Sequence, residues 1–157
     1  MAERRGRLIV FAAETAFTPF EGFPSRADES EEHPMEYVRK IDFEAFDRSG
    51  ADERITQKLL DHASGARTCT IHCIKTPPGG GSPAGAHVHD VDQIFYILRG
   101  TMSVEIEDER HECPPGSLVI FPAGVKHRNW NGGSVPTVHL AFNTPLPDPG
   151  VPFAKSV

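Results

Sequence analysis

The chain has 157 residues, with 16 Lys and Arg against 22 Asp and Glu, for a formal net charge of −6. That balance leaves no basic stripe with which to grip nucleic acid or anionic lipid, so a small molecule is the expected partner. The length suits one domain able to bury its own core. The three cysteines, Cys69, Cys73 and Cys113, are an odd number without a C-x-x-C pair, which fits a reducing compartment such as the cytoplasm. Arg4 and Arg5 precede an apolar run at 8–13 that is too short to cross a membrane, and Glu14 closes it without a cleavage pattern, so no targeting segment is expected.

Residues 1–34 are rich in Phe and Pro (Phe11, Phe17, Pro19, Phe20, Phe23, Pro24) and turn acidic at 28–32, a composition that suits an extended arm packed on its own subunit or on a second one. A single domain is expected over 35–157. Alternation over 37–46 reads as a strand and turn, and residues 54–62, with Ile55, Leu59 and Leu60, read as one short helix. After Gly65 come short β-type runs punctuated by Gly and Pro, at 67–75, 86–89, 93–98, 101–106, 117–121 and 135–142. Many short strands at close spacing predict an all-β sandwich or barrel.

The chemistry concentrates in two stretches. His87 and His89 stand two apart on one predicted strand, so both imidazoles face the same side, and a hairpin brings the amide oxygen of Gln93 toward them. His127 follows a strand and a Pro122-Ala-Gly124 turn, where it completes a three-imidazole set. Three neutral imidazoles with one oxygen donor provide for Zn²⁺, Fe²⁺, Mn²⁺, Ni²⁺ or Cu²⁺, and an open coordination position makes such a site reactive.

These residues resemble the two motifs of the cupin superfamily, G-x5-H-x-H-x3–4-E-x6-G and G-x5-P-x-G-x2-H-x3-N. Gly81, His87, His89 and Gly100 match the first, and Gly116, Pro122, Gly124, His127 and Asn131 match the second. Gln93 stands where the family usually has glutamate. The resemblance covers about residues 66–143 and implies a double-stranded β-helix of jelly-roll type, usually dimeric, holding one divalent metal ion (Fe, Zn, Ni or Mn) through His87, His89, His127 and Gln93. A glutamine removes one negative charge from the ligand set and leaves the ion more positive. In the alternative, Gln93 hydrogen-bonds a metal-bound water and leaves three histidines as ligands.

His72 and His139 lie on predicted strands, either of which can turn its imidazole to the cavity as an extra ligand or general base. His33, His62 and His111 sit in polar or loop contexts and read as solvated. Cys69 and Cys73 share one strand face and His72 the other, so the thiols read as core rather than ligands. Phe95, Ile97, Phe121, Phe142 and Trp130 are candidates for a pocket wall, and Tyr96 faces away by parity.

Three uses suit these residues. The first is a metal-dependent enzyme acting on a small oxygenated or aromatic molecule: a dioxygenase with iron, or a Lewis-acid cyclase, isomerase or decarboxylase with zinc or nickel. Within it, the chain is similar to small bacterial cupins that include aromatic polyketide cyclases, in an introductory strand at 38–43, in Phe95-Tyr96, and in the Pro-rich tail from Pro145 to Pro152. The second is a non-catalytic binding or sensing cupin, for which no helix-turn-helix stretch is present. The third is a sugar or uronate isomerase, favoured by Gln93 but short of inward cations, Lys75, Arg99 and Lys126 being those near the motifs.

Overall fold

The computed structural model describes residues 36–81 and 85–157; the expected arm at 1–34 and His33 lie outside the described residues. Among the described residues, ten strands form two antiparallel five-stranded sheets. One sheet is ordered β1 (Ile55–Leu60), β2 (Thr70–Thr76), β9 (Thr137–Thr144), β4 (Asp92–Arg99) and β7 (Leu118–Phe121). The other is ordered β10 (Lys155–Ser156), β3 (His87–Val88), β8 (His127–Trp130), β5 (Met102–Ile106) and β6 (Glu109–Cys113). Non-consecutive neighbours in both sheets give the all-β sandwich or barrel expected from the strand spacing, in the jelly-roll form that the family resemblance implies. No helix among the described residues is long and apolar enough to cross a membrane.

Strand parity sorts the side chains. From β4, Phe95 and Ile97 turn inward and are buried, whereas Tyr96 is exposed. Phe95, Ile97, Met102, Val104, Val119 and Phe121 form the core between the sheets. Each such side chain contributes roughly 1.5–3 kcal/mol on burial.

Two predicted elements change identity. The expected strand at 37–46 does not form: residues 36–42 are irregular and lead into the helix α1 (Phe43–Arg48). Asp42 caps it by accepting the Ala45 N–H at 2.8 Å, and Glu44 pairs with Arg48 one turn on at 3.1 Å. The expected helix at 54–62 is the strand β1, followed by a 3-10 turn at His62–Ser64. Ile55 and Leu59, four apart, fit either period; what decides is that β2 offers β1 a ladder of backbone partners, and that both side chains pack with Phe46, Cys73 and Val138 under α1. The Gln57 amide completes the tie by exchanging two hydrogen bonds with the Asp42 backbone, at 2.9 and 2.8 Å.

Lys75 is 4 % exposed on the outer face of β2. It donates to the Phe46 carbonyl at 2.9 Å, the Gly50 carbonyl at 2.9 Å and the Ser49 carbonyl at 3.3 Å, closing the C-terminal end of α1. Lys75→Met keeps the aliphatic stem but strips these buried acceptors of their donor. The variant is expected to lose about 2–3 kcal/mol of stability in chemical denaturation, as unpaired buried polar groups do.

Candidate metal centre

The β3–β8 ladder pairs His87 directly with His127, and His89 follows β3 on the same face as His87. Two contacts lock together the loops that carry the motifs. The Gly124 N–H donates to the His89 carbonyl at 2.8 Å, and the Asp92 carboxylate accepts the Ala123 N–H at 2.9 Å. Gly100 makes the hairpin turn behind them at φ +68°, where a Cβ would lie 2.7 Å from the Pro136 carbonyl oxygen. Asn131 is fully buried and holds the turn after β8, donating to the carbonyls of Thr76 at 3.1 Å and Val135 at 2.8 Å.

The result is a cluster in which one ligand atom from each of His87, His89 and His127 lies within 4.8 Å of the others. The His89 Nδ1 donates to the Phe153 carbonyl at 2.7 Å and the His127 Nδ1 to the Val125 carbonyl at 2.8 Å. These bonds select the tautomer and turn both Nε2 lone pairs inward. Those two Nε2 atoms and the His87 Nδ1 are buried without a partner. Burial, then the mutual repulsion of the three rings, holds the His127 pKa down at about 4; burial also depresses His89, and burial with the His89 charge depresses His87. All three are neutral at neutral pH, as metal ligation requires. The donor set therefore fits a divalent ion.

Gln93 sits opposite Asn143 on one cross-strand rung, with Thr70 beyond it. Its Nε2 donates to Asn143 Oδ1 at 3.0 Å, and the Asn143 Nδ2 donates to Thr70 Oγ1 at 2.8 Å. With its amide nitrogen engaged away from the cluster, Gln93 presents its oxygen toward His89, which lies beside it.

A cavity of about 600 Å³ opens from the histidines between the sheets. His72 and His139 both line it, one rung and two rungs deeper than Gln93. His72 is half-buried with Nε2 unpartnered, and burial followed by the Lys58 charge lowers its pKa. His139 is 1 % exposed and packs tilted at 44° against Phe95, with ring centroids 4.4 Å apart; burial and then the Arg54 charge push its pKa down to about 3.

Several expectations need correction. Of the proposed aromatic wall, Phe95 lines the cavity, whereas Phe121 stacks behind His127 at 4.3 Å. Phe142 points to the opposite face of β9 from His139, and Trp130 is sandwiched between Arg110 and Arg128, each 4.8 Å from its ring. None of the three cations named from the sequence faces the cavity. Lys75 lies under α1, Arg99 pairs with Asp47 at 2.7 Å, and Lys126 is exposed. Arg54 and Lys58 line it instead, concealed in the sequence by the helical reading of 54–62, which hid the parity linking them to His72. His62, although exposed, sits at the cavity rim and donates to the Pro147 carbonyl at 2.7 Å. Phe153 was also missed. It stacks on His89 at 4.1 Å, and Lys155 clamps the same tail to Asp90.

Residues 73–142 match the family model described as Cupin domain. The match covers just under half of the chain and marks those residues as a cupin domain. Among solved structures it is similar to the polyketide cyclase RemF from Streptomyces resistomycificus, at 23 % identity and a TM-score of 0.57, with 67 % of this chain and 71 % of that chain covered. It is likewise similar to KdgF from a Halomonas species, at 20 % identity, TM-score 0.53 and coverage of 62 % and 84 %. A cupin superfamily protein from Desulfitobacterium hafniense matches at 14 % identity, TM-score 0.55 and coverage of 70 % and 94 %. At these identities the likeness is one of fold. No curated protein sequence matches the chain.

The depressed His139 pKa sets a pH dependence. A histidine at about 3 in the folded chain and near 6.5 when unfolded binds its proton in the unfolded state first, so it costs stability as pH falls below 6.5 and stops adding to the loss below about 3. His139→Gln is expected to reduce the acid slope of stability in that window by up to one proton, about 1.4 kcal/mol per pH unit, in denaturation curves between pH 6.5 and 4.

Proposed function

We propose that the protein is a metal-dependent enzyme acting on a small oxygenated or aromatic molecule held between its two sheets. What carries the reading is the set of buried, unpartnered imidazole nitrogens of His87, His89 and His127, the first two of which line a cavity of about 600 Å³. The Gln93 oxygen is the fourth ligand. Because all four donors are neutral, a bound divalent ion keeps its full positive charge and supplies strong Lewis acidity to a substrate oxygen, which favours chemistry through an enolate: cyclisation, isomerisation or decarboxylation.

The chain's own residues divide the remaining work. The Gln93, Asn143 and Thr70 rung keeps the amide oxygen on the histidine side. His72 lines the cavity, is neutral at neutral pH and has a buried Nε2 without a partner, and it accepts or returns a proton. His139 is too reluctant to take a proton at neutral pH to serve as a base, and it contributes shape and polarity. Phe95 walls the cavity, and Phe153 covers one face of the His89 ring.

Elemental analysis of protein purified without added metal tests the reading. About one divalent ion per chain is expected in the native protein and loss of that ion in His127→Ala; absence of metal, with a melting temperature indifferent to chelator, would overturn it. Zinc or nickel with no oxygen uptake supports the Lewis-acid reaction on enols or β-diketones, whereas iron with oxygen-dependent loss of substrate supports a dioxygenase.

The rung yields a separate expectation. Asn143→Leu releases the Gln93 amide and should weaken metal retention about 10- to 100-fold in chelator competition, the range typical of groups that orient ligands. Asn143→Asp still accepts from Gln93 Nε2 and should retain metal nearly as well as the native protein.

A further inference from the structure

The cavity extends well beyond the histidine cluster, and its charges are segregated along β1. Asp61 follows the strand's last residue and Arg54 precedes its first, with the six residues Ile55–Leu60 between them. At about 3.3 Å per residue the two ends stand roughly 20 Å apart. The Asp61 end is level with Thr70, Asn143 and Gln93, hence with the metal ligands. The Arg54 end is level with Thr76, whose Oγ1 accepts from the guanidinium at 3.4 Å.

We propose that Arg54 forms a carboxylate subsite at this far end, so that the substrate is an elongated organic acid whose anionic group pairs with Arg54 while its oxygen-bearing end faces His87, His89 and His127. This rests on the metal-enzyme reading for the second half of the statement, but the subsite itself stands on Arg54 and its surroundings.

The other charged groups on the cavity wall are already engaged. Lys58 lies 3.7 Å from Asp61, Asp61 also accepts from the Ser64 N–H at 3.0 Å, and Asp148 accepts from the Gly150 N–H at 2.8 Å. Among the described residues, no carboxylate pairs with Arg54. The residue is exposed as a whole, yet loss of water around its head lowers its pKa. Beside it, His139 is 1 % exposed with Nδ1 unpartnered, a buried polar atom on the cavity wall. A carboxylate answers both groups, accepting from the guanidinium in two parallel bonds. An uncharged group would leave the guanidinium without a counter-charge in a partly dry wall. The spacing sets length as well as charge. The Arg54 end is level with Thr76, six residues of β2 from Thr70 on the Gln93 rung and so roughly 20 Å along the strand, and even with the reach of the Arg54 side chain an acid that bridges both ends is longer than a simple carboxylate.

Isothermal titration of 3-phenylpropanoate and of 3-phenylpropanamide into zinc-loaded and chelator-treated protein tests the subsite. The acid is expected to bind about tenfold or more tightly than the amide in both preparations. Arg54→Gln should remove that difference and leave amide binding unchanged, and Arg54→Lys should restore part of it. Equal binding of acid and amide, a preference that survives in Arg54→Gln, or an acid that fails to bind up to its solubility would each overturn the subsite. A preference present only with zinc and indifferent to Arg54→Gln would place the acid on the metal, which also overturns it. Failure of zinc to bind stoichiometrically would sink the metal reading alone, because the Arg54 comparison is read in the chelator-treated protein.

Discussion

Three imidazole rings buried against one another, with the His127 pKa held at about 4, impose the constraint on which the rest of the site depends. Charged, they would repel; neutral and unpartnered, their lone pairs are costly to bury unless something accepts them. The carbonyls of Val125 and Phe153 fix the outward nitrogens of His127 and His89, so the tautomers are set by backbone rather than by chance. That ties the cluster to the turn just before β8 and to the distant tail before β10. The Gly124 bond to the His89 carbonyl draws the two motif-bearing loops together from the other side.

The five-stranded sheet containing β1 and β2 works on two faces at once. Its inner face carries a graded set of polar groups: Thr70, Asn143 and Gln93 on one rung, His72 on the next, His139 on the one after. Its outer face is covered by α1, where Phe46, Cys73 and Val138 are buried. Burial there pushes the Cys73 thiol up to about 11, which keeps it inert at neutral pH. Because successive residues alternate between the faces, the register that puts Lys75 under α1 also puts His72 and Ile74 in the cavity. A slip of one residue would empty both faces of their proper groups.

The cavity joins this rigid wall to less regular segments. Phe153 contributes a ring and a carbonyl to His89 from a tail held at Lys155 by Asp90 and at Pro147 by His62. A site built on strands with one wall from an irregular tail combines fixed ligand geometry with an entrance whose shape rests on a few polar contacts.

Much of this was legible in the chain. The spacing His87-x-His89 and the turn before His127 carry their meaning locally, because strand parity and a Pro-Ala-Gly turn are short-range properties of the backbone. An all-β sandwich or barrel followed from short β-type runs separated by Gly and Pro, and its jelly-roll form from the two motifs, although the short strands β6, β8 and β10 carry too little pattern to be read from sequence. The exchange of helix and strand between residues 37–48 and 54–62 went the other way, since Ile55 and Leu59 fit both periods and only the β2 ladder chooses between them. With that choice went Arg54 and Lys58, whose place on the cavity wall depends on β1 being a strand. Phe153 and Asn143 were equally out of reach, being 64 and 50 residues from the His89 and Gln93 groups they orient. Sequence alone thus determined which donors this protein brings to its site. Tertiary structure decided the His89 tautomer, the orientation of Gln93 and the charges that face the cavity, because each of those is set by a partner from a distant part of the chain, whereas the His127 tautomer is set two residues away by Val125.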